Sequence, residues 1–485
     1  MVNKKNIIFS SGLFGEYSPY YAIFNGKAKI FDLIKDAIEY DSQINYNFDT
    51  SAVLSLLNFG YILGDRTLVS EINKVPWHAD ITLEGNVISR PPIPHDNIFL
   101  DEEKIAKKMH EILSKYLSEN ILEKHSTIWL TLSGGYDSRI TAGLLKQNAT
   151  SKNDIKVLNW GLPDSLDVVY AKKIAEHYNW EYIYIPYDKK QNADLIQYAV
   201  DESGAEISSL DYNPIEINSS ITSKIAQDDA IVFSHYGDGI GRGFYTEQHI
   251  SKVKLKKIRN PFFLFNTAHY SCYKKNIELD RAKAWANDIT IPLMKTVAQN
   301  ELDMNENCER RMFTKRFKFC KKYIPFTSVE LVRFVFSLSP KCRNMKCYQY
   351  LLQNIDQFLY ELPWGKTKKS FSGIKEENNL FVQKQHNKLH DFLEFYEEIR
   401  LKLLKGYLVE NNIFNYKALE YVLLLWKNNI KLSPLIARLY GIELFIEKYN
   451  LNVNTLNKHS MLTEFKSYWG AKGYNFFKNA KNIIK

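Results

Sequence analysis

The sequence predicts an α/β protein: a parallel-sheet domain whose later part is helical, preceded by a small, degenerate α+β N-terminal domain. Three observations carry this expectation. Strand-length apolar runs alternate with amphipathic helical stretches from residue 128 to residue 234, the order that lays parallel strands side by side with helices across their faces. Past about residue 260 strand signals fade and helical spacing takes over. The first hundred residues instead carry short β-type runs punctuated by turn signals.

In chain order, Asn6 to Phe9 and Tyr20 to Phe24 read as strands and the stretch near Ala52 to Leu57 as helix, with turns at Gly64-Asp65 and Gly85-Asn86. Residues 1–100 are therefore expected to form the front domain. From Asp101 a capped amphipathic helix runs towards Glu119, placing Ile105, Met109, Ile112, Leu113 and Tyr116 on one face. It opens the second domain, residues 101–485. There Ile128 to Leu132 is a buried strand followed by a helix from about Ser138, and Lys156 to Trp160 is a strand followed by a helix over Asp167 to Tyr178. Tyr182 to Pro186 and Ala230 to Ser234 continue the strand pattern, and Leu419 to Trp426 and Pro434 to Tyr449 close the helical part.

Composition bounds the function. The 485 residues, 45% hydrophobic and 25% charged, suffice for two or three cores. A net charge of +9 suits anionic partners without choosing among nucleotides, sugars and RNA. No basic, aromatic-interleaved stripe stands out, so nucleic acid is not an expected partner. Cys272, Cys308, Cys320, Cys342 and Cys347 include no CxxC pair, which favours reduced, buried thiols over disulfides or a zinc site. No run reaches the roughly 18 apolar residues of a membrane span, and no signal core follows Met1; a cytoplasmic protein is expected.

The chemistry concentrates where the strand ending at Leu132 turns into a helix through Ser133-Gly134-Gly135-Tyr136-Asp137-Ser138. Adjacent glycines let backbone N–H groups crowd round an anion, and the helix N-terminus adds its dipole. Ser133 and Ser138 can donate to phosphate oxygens. Asp137 is repelled by bare phosphate and makes sense chiefly as a ligand for Mg2+ bridging those oxygens. A plain flexible turn is the alternative for a lone Gly-Gly pair; the preceding strand, the following helix and the placed Asp and Ser weigh against it. No Gly-Lys-Ser/Thr is present, which excludes a Walker-type loop. Asp238, between Gly237 and Gly239 just after a strand, offers a second carboxylate at the carboxyl end of the sheet.

Leu132 to Ser138 resembles the LSGGxDS signature of the asparagine synthetase family of pyrophosphate-loop ATPases. Trp160 to Asp167 is similar to the family's VGLPxSxD stretch and Gly237-Asp238-Gly239 to its GDG. Pro325-Phe326 with Glu330-Leu331-Val332 is similar to its PFLD segment, and Lys368-Lys369-Ser370-Phe371 to its late K-x-x-F. Leu419 to Tyr449 resembles the family's closing segment, and in order the resemblance covers about residues 55 to 450. The resemblance implies an adenine nucleotide alpha hydrolase-like sheet and ATP and Mg2+ as ligands. It implies nucleotide contacts from Leu132, Ser133, Gly134, Gly135, Asp137, Ser138, Trp160, Gly237, Asp238 and Gly239, with Asp137 and Asp238 on the metal and Lys368 as the catalytic cation. Lys366 and Lys369 compete for the role of Lys368. Trp160 packs either on adenine or in the core, Asp167 is expected to cap its helix, and His235 and Tyr236 adjoin Gly237.

The chain also departs from the family. Val2 stands where a glutaminase needs its cysteine, and no cysteine precedes Cys272, so glutamine hydrolysis is not expected. The front domain resembles only the latter part of an amidotransferase domain, over Phe59 to Thr67 and Ile72 to Pro76. Ile240-Gly241-Arg242-Gly243 replaces the usual acidic residues after the GDG, and Lys321 stands where amide-forming members carry a glutamate.

The resulting expectation is an AMP-forming carbon–nitrogen ligase. It adenylates a carboxylate with release of pyrophosphate and transfers the acyl group to ammonia, supplied free or by a separate glutaminase, or to a substrate amine. Candidate carboxylates are aspartate, a uronic acid in surface-polysaccharide synthesis, and a peptide side chain. The alternative is a catalytically silent nucleotide-binding or partner-binding scaffold.

Overall fold

Short strands whose faces alternate in polarity make small antiparallel sheets, and the chain opens with two of them. The computed structural model describes residues 6–235, 237, 319–375 and 386–454, apart from 14–16, 18, 51, 54, 55, 57–61, 63, 92–95, 212, 213, 340 and 366. Strands β1 (Ile7–Ser10), β2 (Tyr20–Phe24), β3 (Lys27–Phe31), β4 (Ile72–Lys74), β5 (Ala79–Thr82) and β6 (Val87–Ser89) pair in the orders β1-β5-β6 and β3-β2-β4. Asn25 and Gly26 both take positive φ, 50° and 75°, the conformation a two-residue hairpin needs to match strand twist. Tyr21, Ala28, Val75 and Ile81 form a small core here, and helix α1 (Ile34–Tyr40) follows β3.

Helix α2 (Glu102–Leu117) starts at Asp101, whose carboxylate accepts the Lys104 N–H at 2.8 Å. The α/β alternation then runs β7 (Thr127–Thr131), α3 (Tyr136–Asn148), β8 (Asp154–Gly161), α4 (Leu166–Tyr178), β9 (Glu181–Pro186), α5 (Gln191–Ser203) and β10 (Ala230–Phe233). A further strand, β11 (Lys321–Tyr323), was not expected where strand signals had faded; its three residues, two of them lysines, are too short and too polar to announce a strand. The five strands are all parallel in the order β11-β10-β7-β8-β9. From β7 the chain builds outward through β8 and β9, then returns to lay β10 on the other side of β7. The order thus reverses between β7 and β10, and in open α/β sheets such a switch point opens a crevice at the carboxyl ends of the strands.

Two large cores hold the molecule. The first packs α2, α3 and α4 with α6 (Val329–Ser337) and α7 (Met345–Ile355) around the parallel sheet, with Trp129, Leu130, Ile140, Val232 and Leu351 essentially fully buried. The second joins the β3-β2-β4 sheet to α5 and to α8 (Tyr396–Leu404), α9 (Tyr416–Asn428) and α10 (Ser433–Lys448): Tyr20, Phe48, Leu68 and Ile72 pack in one cluster with Trp426, Ile442 and Phe445. Its seam is also polar. Lys74 and Glu206 pair at 2.8 Å with both side chains buried, and Asn452 donates its N–H to Tyr46 O and accepts from Phe48 N–H, at 2.8 and 2.9 Å. The described cysteines, Cys320, Cys342 and Cys347, are free and buried; Cys272 and Cys308 lie outside the described residues. Among the described residues no helix is long and apolar enough to cross a membrane.

Glu443 lies fully buried in the middle of α10. Its carboxylate accepts the N–H groups of Tyr407 and Leu408 at 2.8 and 2.9 Å, and it presses so close to Gly406 that a Cβ there would collide with it. Burial outweighs these bonds and pushes its pKa up to about 7. The unfolded chain gives up this proton near pH 4.5 whereas the folded chain holds it up to about pH 7, so raising the pH across that interval removes stability, on the order of 3 kcal/mol. The melting temperature is expected to fall between about pH 4.5 and pH 7 and to level off above, and Glu443→Gln to flatten that slope. Thermal melts across this range check it; an equally steep slope in the variant would remove Glu443 as its cause.

Candidate functional site

The switch point lies between the ends of β7 and β10, and the glycine loop leaves from the first of these. Leu132 is still held by β8: its N–H donates to Leu158 O at 3.0 Å, and Asn159 Nδ2 donates to its carbonyl at 2.6 Å. The chain then turns sharply. Ser133 Oγ lies 3.0 Å from Ser138 Oγ and accepts the Gly135 N–H at 3.2 Å, which ties the two ends of the loop together. Gly135 takes the N-cap position of α3, and no side chain caps that helix. The two serines thus stand together beside the uncapped first turn of α3.

Gly134 packs on the start of α4. A Cβ there would lie 3.1 Å from both Leu166 O and Tyr170 Cδ2, and its N–H donates to Asp167 Oδ1 at 3.1 Å. This corrects the expectation that Asp167 caps its own helix. Ser165 is the cap, accepting from the Val168 N–H, and Asp167 reaches across to the glycine loop. Both residue types suit a helix start, and the choice between them rests on where the helix begins.

Asp137, in the first turn of α3, faces the segment that follows β10. A Cβ added to Gly237 would collide with the Asp137 carboxylate and with the Tyr348 hydroxyl of α7. Two elements a hundred residues apart in sequence therefore meet here, with the backbone of one seated on the acid of the other. Asp238 and Gly239 lie outside the described residues, as do Tyr236, Lys366 and residues 240–243. His235 is half-buried and stacks on Phe233, with centroids 5.4 Å apart. Mg2+ typically takes one or two carboxylates and completes its shell with phosphate oxygens and water. The Asp137 carboxylate, in a cradle that a Cβ on Gly237 would fill, fits that requirement.

Trp160 is the penultimate residue of β8, level with Ile185 of β9, and packs half-buried against the first core. Beyond it, at the carboxyl ends of β8 and β9, is an open cleft of about 350 Å³ lined by Leu162, Tyr187, Asp188, Lys189 and Asp391. Lys368 belongs to a tight loop that leans on the glycine loop. Its φ is 57°, its N–H donates to Trp364 O at 2.7 Å, and the Trp364 N–H donates to Lys369 O at 3.0 Å. Tyr136, the first residue of α3, stacks on both Trp364 and Phe371, at centroid distances of 4.9 and 4.4 Å. Gly365 packs near Leu166 and Asp167. Lys321 is elsewhere: β11 sets it level with Ala230 and so with Ile128, roughly 10 Å along the strands from their carboxyl ends.

Sequence reasoning missed Tyr348 and Arg139. Tyr348 is more than two hundred residues from Asp137, and nothing local marks it. Arg139 is fully buried, and its guanidinium donates to the carbonyls of Gly134 at 2.8 Å, Leu362 and Pro363 at 2.5 Å and Leu359 at 3.5 Å. Burial draws its pKa down to about 10, so it remains charged at neutral pH. One signal was present: the α3 segment from Ile140 to Leu145 is too apolar to leave a charged neighbour an exposed face.

No protein-family model matches the chain, and no curated protein matches it significantly. Among solved structures it has partial likeness to an NH3-dependent NAD synthetase from Campylobacter jejuni, with 13% identity over 45% of this chain and 98% of that one and a TM-score of 0.23. It is similarly like an NMN synthetase from Francisella tularensis, with 12% identity over 45% and 98% and a TM-score of 0.23. A tRNA thiolase from Methanococcus maripaludis shows 17% identity over 55% and 87%, with a TM-score of 0.22. Likeness at this level bears on neither family nor activity.

The contact at Gly237 yields a direct expectation. Gly237→Ala must displace Asp137 or Tyr348, and overpacking of this kind costs about 1–3 kcal/mol. Gly134→Ala meets contacts of 3.1 Å that a few tenths of an ångström relieve. Chemical denaturation of the two variants is expected to rank Gly237→Ala as the more destabilised; the reverse order would contradict the packing described.

Proposed function

We propose that the chain is an ATP-dependent ligase of the pyrophosphate-loop type that activates a carboxylate as an acyl-adenylate and passes the acyl group to ammonia or an amine. The observation that carries the reading is the meeting, at the switch point of a parallel sheet, of Ser133 to Ser138 with Gly237 seated on Asp137. A carboxylate oxygen attacks the α-phosphorus of ATP, the bond to the β-phosphate bridging oxygen breaks, and pyrophosphate leaves. The amine nitrogen then attacks the acyl carbon, AMP leaves with the C–O bonding electrons, and the nitrogen gives up a proton.

In this reading Ser133, Ser138 and the uncapped first turn of α3 bind the phosphates, the Gly134 and Gly135 amides being held by Asp167 and Ser133, and Asp137, with Asp238 one residue beyond Gly237, would hold Mg2+. Bound Mg2+ supplies charge neutralisation on the phosphate oxygens. Lys368 offsets charge that develops as pyrophosphate departs, where a fixed cation in a dry site is worth several kcal/mol. Trp160, at the exit of β8, flanks the adenine. The carboxylate is a small molecule, a glycan acid or a peptide side chain, and asparagine synthase-like chemistry is the nearest model.

The test is release of pyrophosphate and AMP from Mg2+-ATP by the purified protein, against a panel of carboxylates with and without ammonium. Release that depends on one carboxylate supports the reading and names the substrate; nucleotide binding without release across the panel favours a silent nucleotide-binding scaffold. Asp137→Asn is expected to lower the release rate at least about 100-fold while leaving the melting temperature near that of the parent. Full turnover in this variant would remove Asp137 from the metal site.

A further inference from the structure

Four consecutive residues in the first turn of α3 reach four different parts of the site. Tyr136 stacks on Trp364 and Phe371, Asp137 meets Gly237, Ser138 meets Ser133, and Arg139 reaches the backbone of Leu359 to Pro363. The first three follow from the proposed chemistry. The fourth does not, because a fully buried guanidinium has no access to a nucleotide.

Its placement is physically expensive. Burying a cation away from water is costly unless its donors are met; here carbonyls meet both terminal nitrogens, with the Tyr136 and Tyr170 rings at 5.4 and 5.5 Å, while Nε has no hydrogen-bond partner among the described residues. A leucine at this position would fill the interior without that cost. The guanidinium does one thing an apolar side chain cannot: a single rigid fork bonds the Gly134 carbonyl, in the middle of the glycine loop, and the Leu362 and Pro363 carbonyls. Those two residues lead directly into the Trp364 to Phe371 segment that carries Lys368. A lysine ammonium, a point charge on a flexible stem, does not reproduce such a planar fork.

We infer that Arg139 is a positioning residue that couples the lysine-bearing segment Trp364 to Phe371 to the conformation of the glycine loop, so that the two sides of the nucleotide site keep a fixed separation. The inference rests on the nucleotide reading for its consequence in turnover, but not for its structural content. Because Trp364 lies between the fork's anchor and Lys368 and stacks on Tyr136, its indole reports the order of the segment.

The test compares the parent protein with Arg139→Lys, each also carrying Trp364→Phe, so that the difference isolates the Trp364 fluorescence. In Arg139→Lys, acrylamide quenching of Trp364 is expected roughly to double as the segment loosens. Turnover of Mg2+-ATP is expected to fall at least about tenfold in kcat with KM for ATP little changed, because misplacement of the segment costs the reaction more than it costs binding. Unchanged quenching and kcat in a folded variant would overturn the inference. If Arg139→Lys does not fold, Arg139→Met, which fills the volume without a buried charge, is read the same way; if neither folds, Arg139 serves folding and the positioning role is rejected. A parent protein that neither binds nor turns over ATP would defeat the nucleotide reading, while the quenching comparison would still decide the coupling.

Discussion

Backbone packed where a side chain would otherwise stand sets the geometry at the carboxyl edge of the parallel sheet. Gly134 lies against the first turn of α4, and Gly237 lies against an acid and a phenol. Each close approach brings together elements that the sheet order alone would only make neighbours. At Gly134 the result is an amide held by Asp167; at Gly237 it is an aspartate enclosed beside the strand that leads to a second one. The rest of the site is organised around these contacts: the serine pair ties off the loop, and the aromatic stack and the arginine fork bring in the lysine segment. The separations at this edge, above all at Gly237, rest on the absence of a side chain there.

Three buried charges among the described residues are accommodated differently, and each solution suits its location. Lys74 and Glu206 neutralise one another where the front sheets meet the residues after α5. Glu443 rests on two amides in the C-terminal helices and meets the remaining penalty by holding its proton more tightly. Arg139 distributes its charge over backbone carbonyls and ring faces next to the site. An ion pair keeps its charge while both partners stay, and a buried acid responds to pH. The arginine cannot readily lose its proton, so it is the one of the three suited to holding a site of constant shape.

Much of the fold was legible because its signals are local. The strand before the glycine loop, the helix after it, the Asp101 cap and the β8-α4-β9 alternation lie within a residue or two of where periodicity placed them. The hairpin at Asn25-Gly26 carries an equally local signal, a dipeptide that tolerates positive φ at both positions. Strand β11 was not legible, since a Lys-Lys-Tyr strand exists only because β10 offers it an edge. Within the site the glycine loop was readable as a motif, but its partners were not. Asp167 looks like a capping residue until α4 is seen beside Gly134. Arg139 looks like an ordinary helix residue until Leu362 and Pro363 are brought over it, and Tyr348 has no sequence signal at all.

The second core has a consequence for synthesis. Asn47 pairs with Asn452 across 405 residues of chain, and the apolar residues of the front sheets share their interior with helices that emerge last. At ribosomal rates of about 5–20 residues per second, roughly 20 to 80 seconds separate the two partners. Throughout that interval Tyr20, Phe48 and Ile72 lack the surface that eventually covers them. A nascent chain of this design waits with an open apolar face until α10 arrives, and throughout that wait aggregation competes with folding.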